Sequence, residues 1–181
     1  MRFDVYKCFL PECYLDTLLV EVLLNKQFSV NHKKGNSSIA TVMEHGPLKD
    51  GFAVGIIDED KVRLKELDTF VKEERLSKEG LKFFWHSKKK HFFIQICPAI
   101  EKWILKECDK ASIDIASKEY KLPNTLKGLK AMKGLAQKSD ERFERLFRDM
   151  CDNRSCDELI ELKRWLLFLK ENNYNTNLDL L

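Results

Sequence analysis

Apolar residues along this chain form short continuous runs that alternate with helically spaced stripes as far as residue 108. A short apolar run between turn signals predicts a buried strand, whereas apolar residues at i, i+3, i+4 and i+7 predict a helix. Strands are predicted at residues 2–9, 52–60, 81–86 and 91–97. Helices are predicted at residues 14–24, 37–45, 62–79 and 98–108. This order of elements predicts an α/β fold with a largely parallel sheet flanked by helices.

For some of these segments the pattern allows two alternative structures. Residues 62–79 are highly charged, and they are predicted to form either a helix or a lid-like helical loop. The strands at 81–86 and 91–97 either pair as a hairpin through the turn 87–90, or the second of them re-enters the parallel sheet. Residues 28–32 are predicted to form a turn or a short edge strand.

The last third of the chain shows a helical pattern only. A basic amphipathic helix is predicted at residues 125–138, and Ser139 is expected to cap a second helix. The segment Ser155–Glu158 has the sequence of a capping box, which predicts the start of a third helix. We therefore predict an α/β domain over residues 1–110 and a helical extension over residues 111–181 that packs on it.

Composition and charge restrict the class of protein. Hydrophobic residues make up 44% and charged residues 34% of the 181 residues, as in a folded globular chain. The net charge of +3 is too small to indicate nucleic-acid binding, so any basic surface must be local. The sequence has no signal-peptide pattern and no apolar segment long enough to span a membrane. We expect a cytoplasmic protein that does not contact the membrane.

The cysteines do not have the spacing of a metal site. None of the six forms a Cys-x-x-Cys pair, and no histidine follows at zinc-finger spacing. We expect them to be reduced and mostly buried, with a zinc site at Cys151 and Cys156 as the less favoured alternative.

Carboxylates stand at the ends of two predicted strands. Asp58 and Asp60 end the apolar run that begins at Phe52, and Glu12 follows the first predicted strand. Open α/β sheets bind ligands at the carboxyl ends of their parallel strands. Residues 58 and 60 project to the same side of a strand, and carboxylate oxygens suit Mg²⁺ or Mn²⁺. The sequence therefore predicts a site for one of these ions.

Two further acids are candidates for the same site. Asp16 lies four residues after Glu12, so both carboxylates can share one face of a helix that begins near Glu12. Glu101 lies in the first turn of its predicted helix. The alternative for both Asp16 and Glu101 is a favourable interaction with the helix dipole, because acids are common in first turns.

The order of these acids resembles the Toprim fold of topoisomerases, primases and small nucleases. The matching segments are residues 11–16, 57–60 and 99–105, and they are most similar to Toprim nucleases of the overcoming-lysogenization-defect type and allied small bacterial proteins. Cys13 stands where many of those proteins have glycine. The resemblance implies metal ligands at Glu12, Asp16, Asp58, Asp60 and Glu101, of which Glu12, Asp58 and Asp60 are catalytic.

Lysines supply the predicted contacts with nucleic acid. The turn containing Lys88, Lys89 and Lys90 is the best candidate for phosphate contact, and the resemblance implies that one lysine, assigned as Lys88, neutralises charge beside the metals. A second set recurs every three residues on a predicted helix, at Lys127, Lys130 and Lys133. The alternative for both sets is a solvated surface.

The expected function is a Mg²⁺- or Mn²⁺-dependent nuclease that cleaves DNA or RNA, with a role in genome defence such as defence against phage. The alternative is a non-catalytic interaction subunit with a Toprim fold, whose partner is a separately encoded ATPase. The chain has no Gly-Lys-Ser/Thr phosphate-binding loop of its own. A homo-oligomer is compatible with either function.

Overall fold

The computed structural model describes residues 4–27, 29–59, 64–133 and 140–181. The chain forms an α/β structure in which helices flank a mixed sheet of five strands. The strands are β1 Phe9–Pro11, β2 Ala53–Asp58, β3 Phe70–Lys72, β4 Leu81–His86 and β5 His91–Ile96. The helices are α1 Tyr14–Leu23, α2 Asn36–Glu44, α3 Ile100–Lys110, α4 Leu126–Lys133, α5 Glu141–Asp152 and α6 Asp157–Asn172. Short 3₁₀ segments occupy Val5–Cys8, Lys65–Thr69, Asn173–Asn175 and Leu178–Leu180.

The sheet has the strand order β1-β2-β5-β4-β3. β1, β2 and β5 are parallel to one another, whereas β4 is antiparallel to both β5 and β3. The two interpretations of the segments at 81–86 and 91–97 are therefore both correct, because β4 and β5 form a hairpin and β5 also joins the parallel part. In the register of β2 and β5, Ala53 is level with His91 and Asp58 with Ile96.

β2 is a central strand, and all six of its residues are buried. Gly55 is required there by close packing: a Cβ at this position would lie 2.4 Å from the Phe93 ring and 2.9 Å from Ile39. The continuous apolar sequence of this segment is explained by burial on both faces of the sheet.

Each face of the sheet has its own helical cover. The larger core contains β-strand residues such as Val54 together with residues of α1, α3, α5 and α6, among them Phe147 and Trp165. The smaller core on the opposite face includes Ile39 of α2 and Leu67 of the second 3₁₀ segment. Residues from the last third of the chain thus contribute to the larger core.

Two predicted elements are wrong in type. The segment predicted as a strand at 2–9 contains the 3₁₀ turn Val5–Cys8, and its strand is the short β1, while residues 2 and 3 lie outside the described range. The described part of the segment 62–79, which is residues 64–79, contains a 3₁₀ turn and β3, so the helix of the two predicted alternatives is wrong. Val71 is 46% exposed there, because pairing with β4 turns alternate side chains outward.

The C-terminal helices begin differently from the prediction. The N-cap of α5 is Asp140, whose side chain accepts a hydrogen bond from the Arg142 amide, and the predicted cap Ser139 lies outside the described residues. The capping box predicted at the start of α6 does not form. Glu158 is buried and accepts hydrogen bonds from the Gly80 amide at 3.0 Å and from Trp103 Nε1 at 2.8 Å.

In the described part of the chain, every helix is too short or too polar to span a bilayer.

Candidate metal centre at the carboxyl end of the parallel strands

Glu12 and Asp58 lie next to each other at one edge of the sheet. β1 pairs with β2 so that Pro11 is level with Ile56, and the Glu12 amide continues the pairing by donating to the Ile56 carbonyl at 3.1 Å. Glu12 Oε2 then accepts a hydrogen bond from the Asp58 amide at 3.1 Å. Parallel pairing of two strand ends therefore brings the Glu12 carboxylate to the backbone of Asp58, whereas a metal ion shared by the two carboxylates stays a prediction.

Asp58 also connects the strand end to the start of α3. Its side chain is 5% exposed, and Oδ1 accepts a hydrogen bond from the Ile100 amide at 2.9 Å. The amide groups of a helix N-terminus attract negative charge, so this position favours an ionised carboxylate or a bound anion. Glu101, the second residue of α3, is 1% exposed and belongs to the same helix start.

Asp16 is held at the start of α1 by a capping box with Cys13. The Cys13 amide donates to Asp16 Oδ2 at 3.1 Å, while Cys13 Sγ accepts from the Asp16 amide at 3.5 Å. Cys13 has a φ of −132°, which any residue adopts, so the backbone here does not require the glycine found in many Toprim proteins. Asp16 thus has the helix-start role that was the alternative to metal binding.

His32 packs on the first turn of α1. Its ring stacks on Tyr14 with centroids 4.3 Å apart and planes 8° apart, and Nδ1 lies 3.0 Å from Thr17 Oγ1. The Thr17 hydroxyl donates its only proton to the Cys13 carbonyl at 2.8 Å, so His32 Nδ1 is the donor to Thr17. Only the fold shows this, because the sequence gives no spacing rule that links residues 14, 17 and 32.

One of the predicted metal ligands lies outside the residues that the structure describes. Among the residues that the structure describes, no group of three or more His, Cys, Asp or Glu side chains has the geometry to hold a metal ion. Asp60, the predicted partner of Asp58, lies outside the described range. Mg²⁺ or Mn²⁺ binding by Glu12, Asp58 and Asp60 therefore stays a prediction.

The structure does not place Lys88 with these acids. The Lys90 carbonyl accepts a hydrogen bond from the Ala53 amide, so the turn lies at the amino end of β2 and Asp58 lies at the carboxyl end. The five residue steps from Ala53 to Asp58 span roughly 17 Å at about 3.3 Å per step. The prediction that Lys88 neutralises charge beside the metals is therefore corrected.

A different lysine lies at the carboxyl ends of the parallel strands, which we call the acid edge because Glu12 and Asp58 lie there. Lys82 of β4 forms a hydrogen-bonded ion pair with Glu59, the residue after Asp58. This hydrogen bond raises the pKa of Lys82, so its ammonium group stays charged. Because side chains alternate along a strand, Lys82 and Glu59 project to the face of the sheet opposite Asp58.

The remaining predicted lysines are on α4, which packs against α3. Lys127 and Lys130 are exposed, and Lys133 is the last residue of that helix, with a side chain outside the description. Exposure fits both nucleic-acid contact and a solvated face.

Comparison with known proteins adds no assignment. No family model matches the chain, and no curated protein or solved structure is significantly similar to it. Functional conclusions therefore depend on the geometry described above.

Proposed function

We propose that this chain is a metal-dependent nuclease of the Toprim kind, which cleaves phosphodiester bonds in DNA or RNA. The observation that supports the proposal best is the hydrogen bond between the Glu12 carboxylate and the Asp58 amide, which joins residues 46 positions apart. These acids lie at the carboxyl ends of adjacent parallel strands, the usual place for a ligand in an open α/β sheet.

The donor set fits a hard divalent cation. Glu12 and Asp58 would hold Mg²⁺ or Mn²⁺, and Asp60 is predicted to complete the set. When bound, such an ion lowers the pKa of a coordinated water and stabilises the leaving oxygen of a phosphodiester.

The protein's own contribution is to fix the two carboxylates before substrate binds. The Ile100 amide holds Asp58 Oδ1 at 2.9 Å, and the Asp58 amide holds Glu12 Oε2 at 3.1 Å. Carboxylates that are already oriented need little reorganisation during the reaction.

The test compares wild type with Asp58→Asn in a cleavage assay with Mn²⁺, using single- and double-stranded DNA and RNA. Asparagine keeps an oxygen acceptor for the Ile100 amide, so the fold should be retained. We expect cleavage to fall by about 100-fold or more, because even residues behind the metal ligands typically contribute 10–100-fold. The matched control, Asp109→Asn, changes an exposed acid of α3 and should cleave normally.

Equal cleavage by wild type and Asp58→Asn would contradict the proposal.

A second function is favoured by the structural roles of the acids. Asp16 caps α1 and Asp58 caps α3, and both contacts stabilise the fold without any metal. A non-catalytic subunit that works with a separately encoded ATPase would need nothing more from these residues. Isothermal titration with Mn²⁺ separates the two functions: binding that is lost in Asp58→Asn supports the nuclease, and no binding to wild type supports the interaction subunit.

A further inference from the structure

A groove of about 400 Å³ lies at the edge of the sheet opposite the acids. One side is the β4–β5 turn with Lys88, Lys89 and Lys90, and the other is the C-terminal segment 176–179. Trp85 and Phe92 also line it. The volume falls in the range of small-molecule sites and exceeds what a bare phosphate fills.

The charge of the groove is positive. Among the described residues, none of the three lysine ammonium groups has a hydrogen-bond or ion-pair partner. Two acids, Glu73 and Asp179, line the groove with the three lysines, so cationic side chains outnumber anionic ones there. Uncompensated lysines around a concave surface favour an anionic ligand.

The turn that carries the lysines has a fixed shape. His86 Nδ1 accepts hydrogen bonds from the Lys88 amide at 3.0 Å and the Lys89 amide at 3.2 Å. Burial and the neighbouring lysines lower the pKa of His86, so the ring stays neutral and keeps its acceptor nitrogen near pH 7. Across the groove, Arg75 donates to the Leu178 carbonyl at 2.6 Å and anchors the opposite side.

The wall of the groove is aromatic. Trp85 is half-buried, and its indole N–H has no acceptor in the described part of the chain. Proteins that bind single-stranded nucleic acid combine cationic grooves with aromatic rings on which bases stack. A nucleotide is the ligand class that has both an anionic phosphate and an aromatic base.

We propose that this groove is a nucleotide-binding site, separate from the acid edge, in which Lys88, Lys89 and Lys90 contact phosphate and Trp85 contacts the base. The nucleotide is either a free nucleoside phosphate or one residue of a nucleic-acid strand. Neither form requires the acid edge to be catalytic.

Binding is tested in EDTA, so that no divalent ion takes part and nothing is cleaved. The probes are AMP, a labelled single-stranded oligonucleotide and inorganic phosphate. Trp103 and Trp165 are fully buried, so a change in tryptophan emission on binding should come from Trp85. The triple variant Lys88→Ala, Lys89→Ala, Lys90→Ala is compared with a control that loses three exposed lysines elsewhere, at positions 7, 26 and 118.

We expect the turn variant to bind the oligonucleotide at least about tenfold more weakly, with a salt-dependence slope reduced by roughly 2, or about 0.7 per lost phosphate contact. The control should keep most of its affinity. Displacement of the oligonucleotide by AMP indicates a free-nucleotide site, whereas oligonucleotide binding without AMP displacement indicates a strand site.

Three results would overturn the proposal: equal loss of affinity in the turn variant and the control, displacement of the oligonucleotide by inorganic phosphate at the concentrations at which AMP displaces it, or no binding of either nucleotide probe. Binding in EDTA and cleavage with Mn²⁺ are separate measurements, and only the cleavage assay tests the acids. A negative result for nucleotide binding in the groove can therefore be distinguished from a negative result for nuclease activity.

Discussion

We expect the buried carboxylate of Glu158 to stabilise the packing of α6 against the sheet and α3. It accepts hydrogen bonds from the Gly80 amide, next to β4, and from the Trp103 indole of α3, and Lys106 lies 3.7 Å from Oε1. Truncation in Glu158→Ala leaves both donors buried without a partner. At about 1–3 kcal/mol for each unsatisfied donor, the expected loss in the free energy of unfolding is about 2–6 kcal/mol.

A graded variant and a control make the estimate specific. Glu158→Gln keeps one oxygen acceptor but presents an amide to the other donor, so it should lose about half as much. Glu79→Ala removes another partner of Lys106, but Glu79 is largely exposed, so its effect on the free energy of unfolding should be much smaller than that of Glu158→Ala. Urea unfolding followed by tryptophan fluorescence and by circular dichroism gives these differences.

The same contact explains the glycine at position 80. A Cβ there would lie 2.0 Å from Glu158 Oε2 and 2.8 Å from the Trp103 ring, so Gly80→Ala should displace the carboxylate. In the Glu158→Ala background the first clash is absent, and Gly80→Ala should have a smaller effect than in wild type. The reasoning is refuted if Glu158→Ala destabilises the protein no more than Glu79→Ala does, or if the substitutions at positions 80 and 158 have additive effects.

Three further predictions follow from packing and titration. Gly55→Ala forces a Cβ to 2.4 Å from the Phe93 ring, so unfolding measurements should show a loss of about 1–3 kcal/mol; an unchanged midpoint would contradict the packing. The hydrogen bond from Arg142 lowers the pKa of Asp140 below 3.8, so its stabilisation is present above that pH and is lost as pH falls through the lowered pKa. Asp140→Asn should therefore be less stable than wild type in urea unfolding at about pH 7, and the difference should shrink as the pH falls below about 4. Burial raises the pKa of Cys108 to about 12, so this thiol should label with Ellman's reagent much more slowly in the native protein than after unfolding, as mass spectrometry of the labelled peptide can show.

The sequence predicted correctly an element whose residues all have the same degree of burial. β2 is buried on both faces, so its apolar run was visible, and the acids at strand ends followed from parallel pairing. The meeting of Glu12 and Asp58 is the part of the candidate site that could be predicted in this way.

The rest depended on contacts between distant segments. The sequence left the partners of β5 open, so it could not show that Lys88 lies at the far end of β2. β3 was missed because a strand of three residues has too little alternation to be distinguished from a helical stripe. His32 gained its contacts with Tyr14 and Thr17 only when the segment folded against α1.

The sheet and the C-terminal helices share a core, and this limits where the chain can be truncated. Every predicted metal ligand precedes residue 110, yet the ring of Trp165 in α6 packs edge-on against Phe83 in β4, with centroids 5.3 Å apart. Truncation after residue 110 would expose that aromatic surface, and large exposed apolar patches promote aggregation. The smallest soluble fragment that carries the acid edge is therefore expected to include α5 and α6.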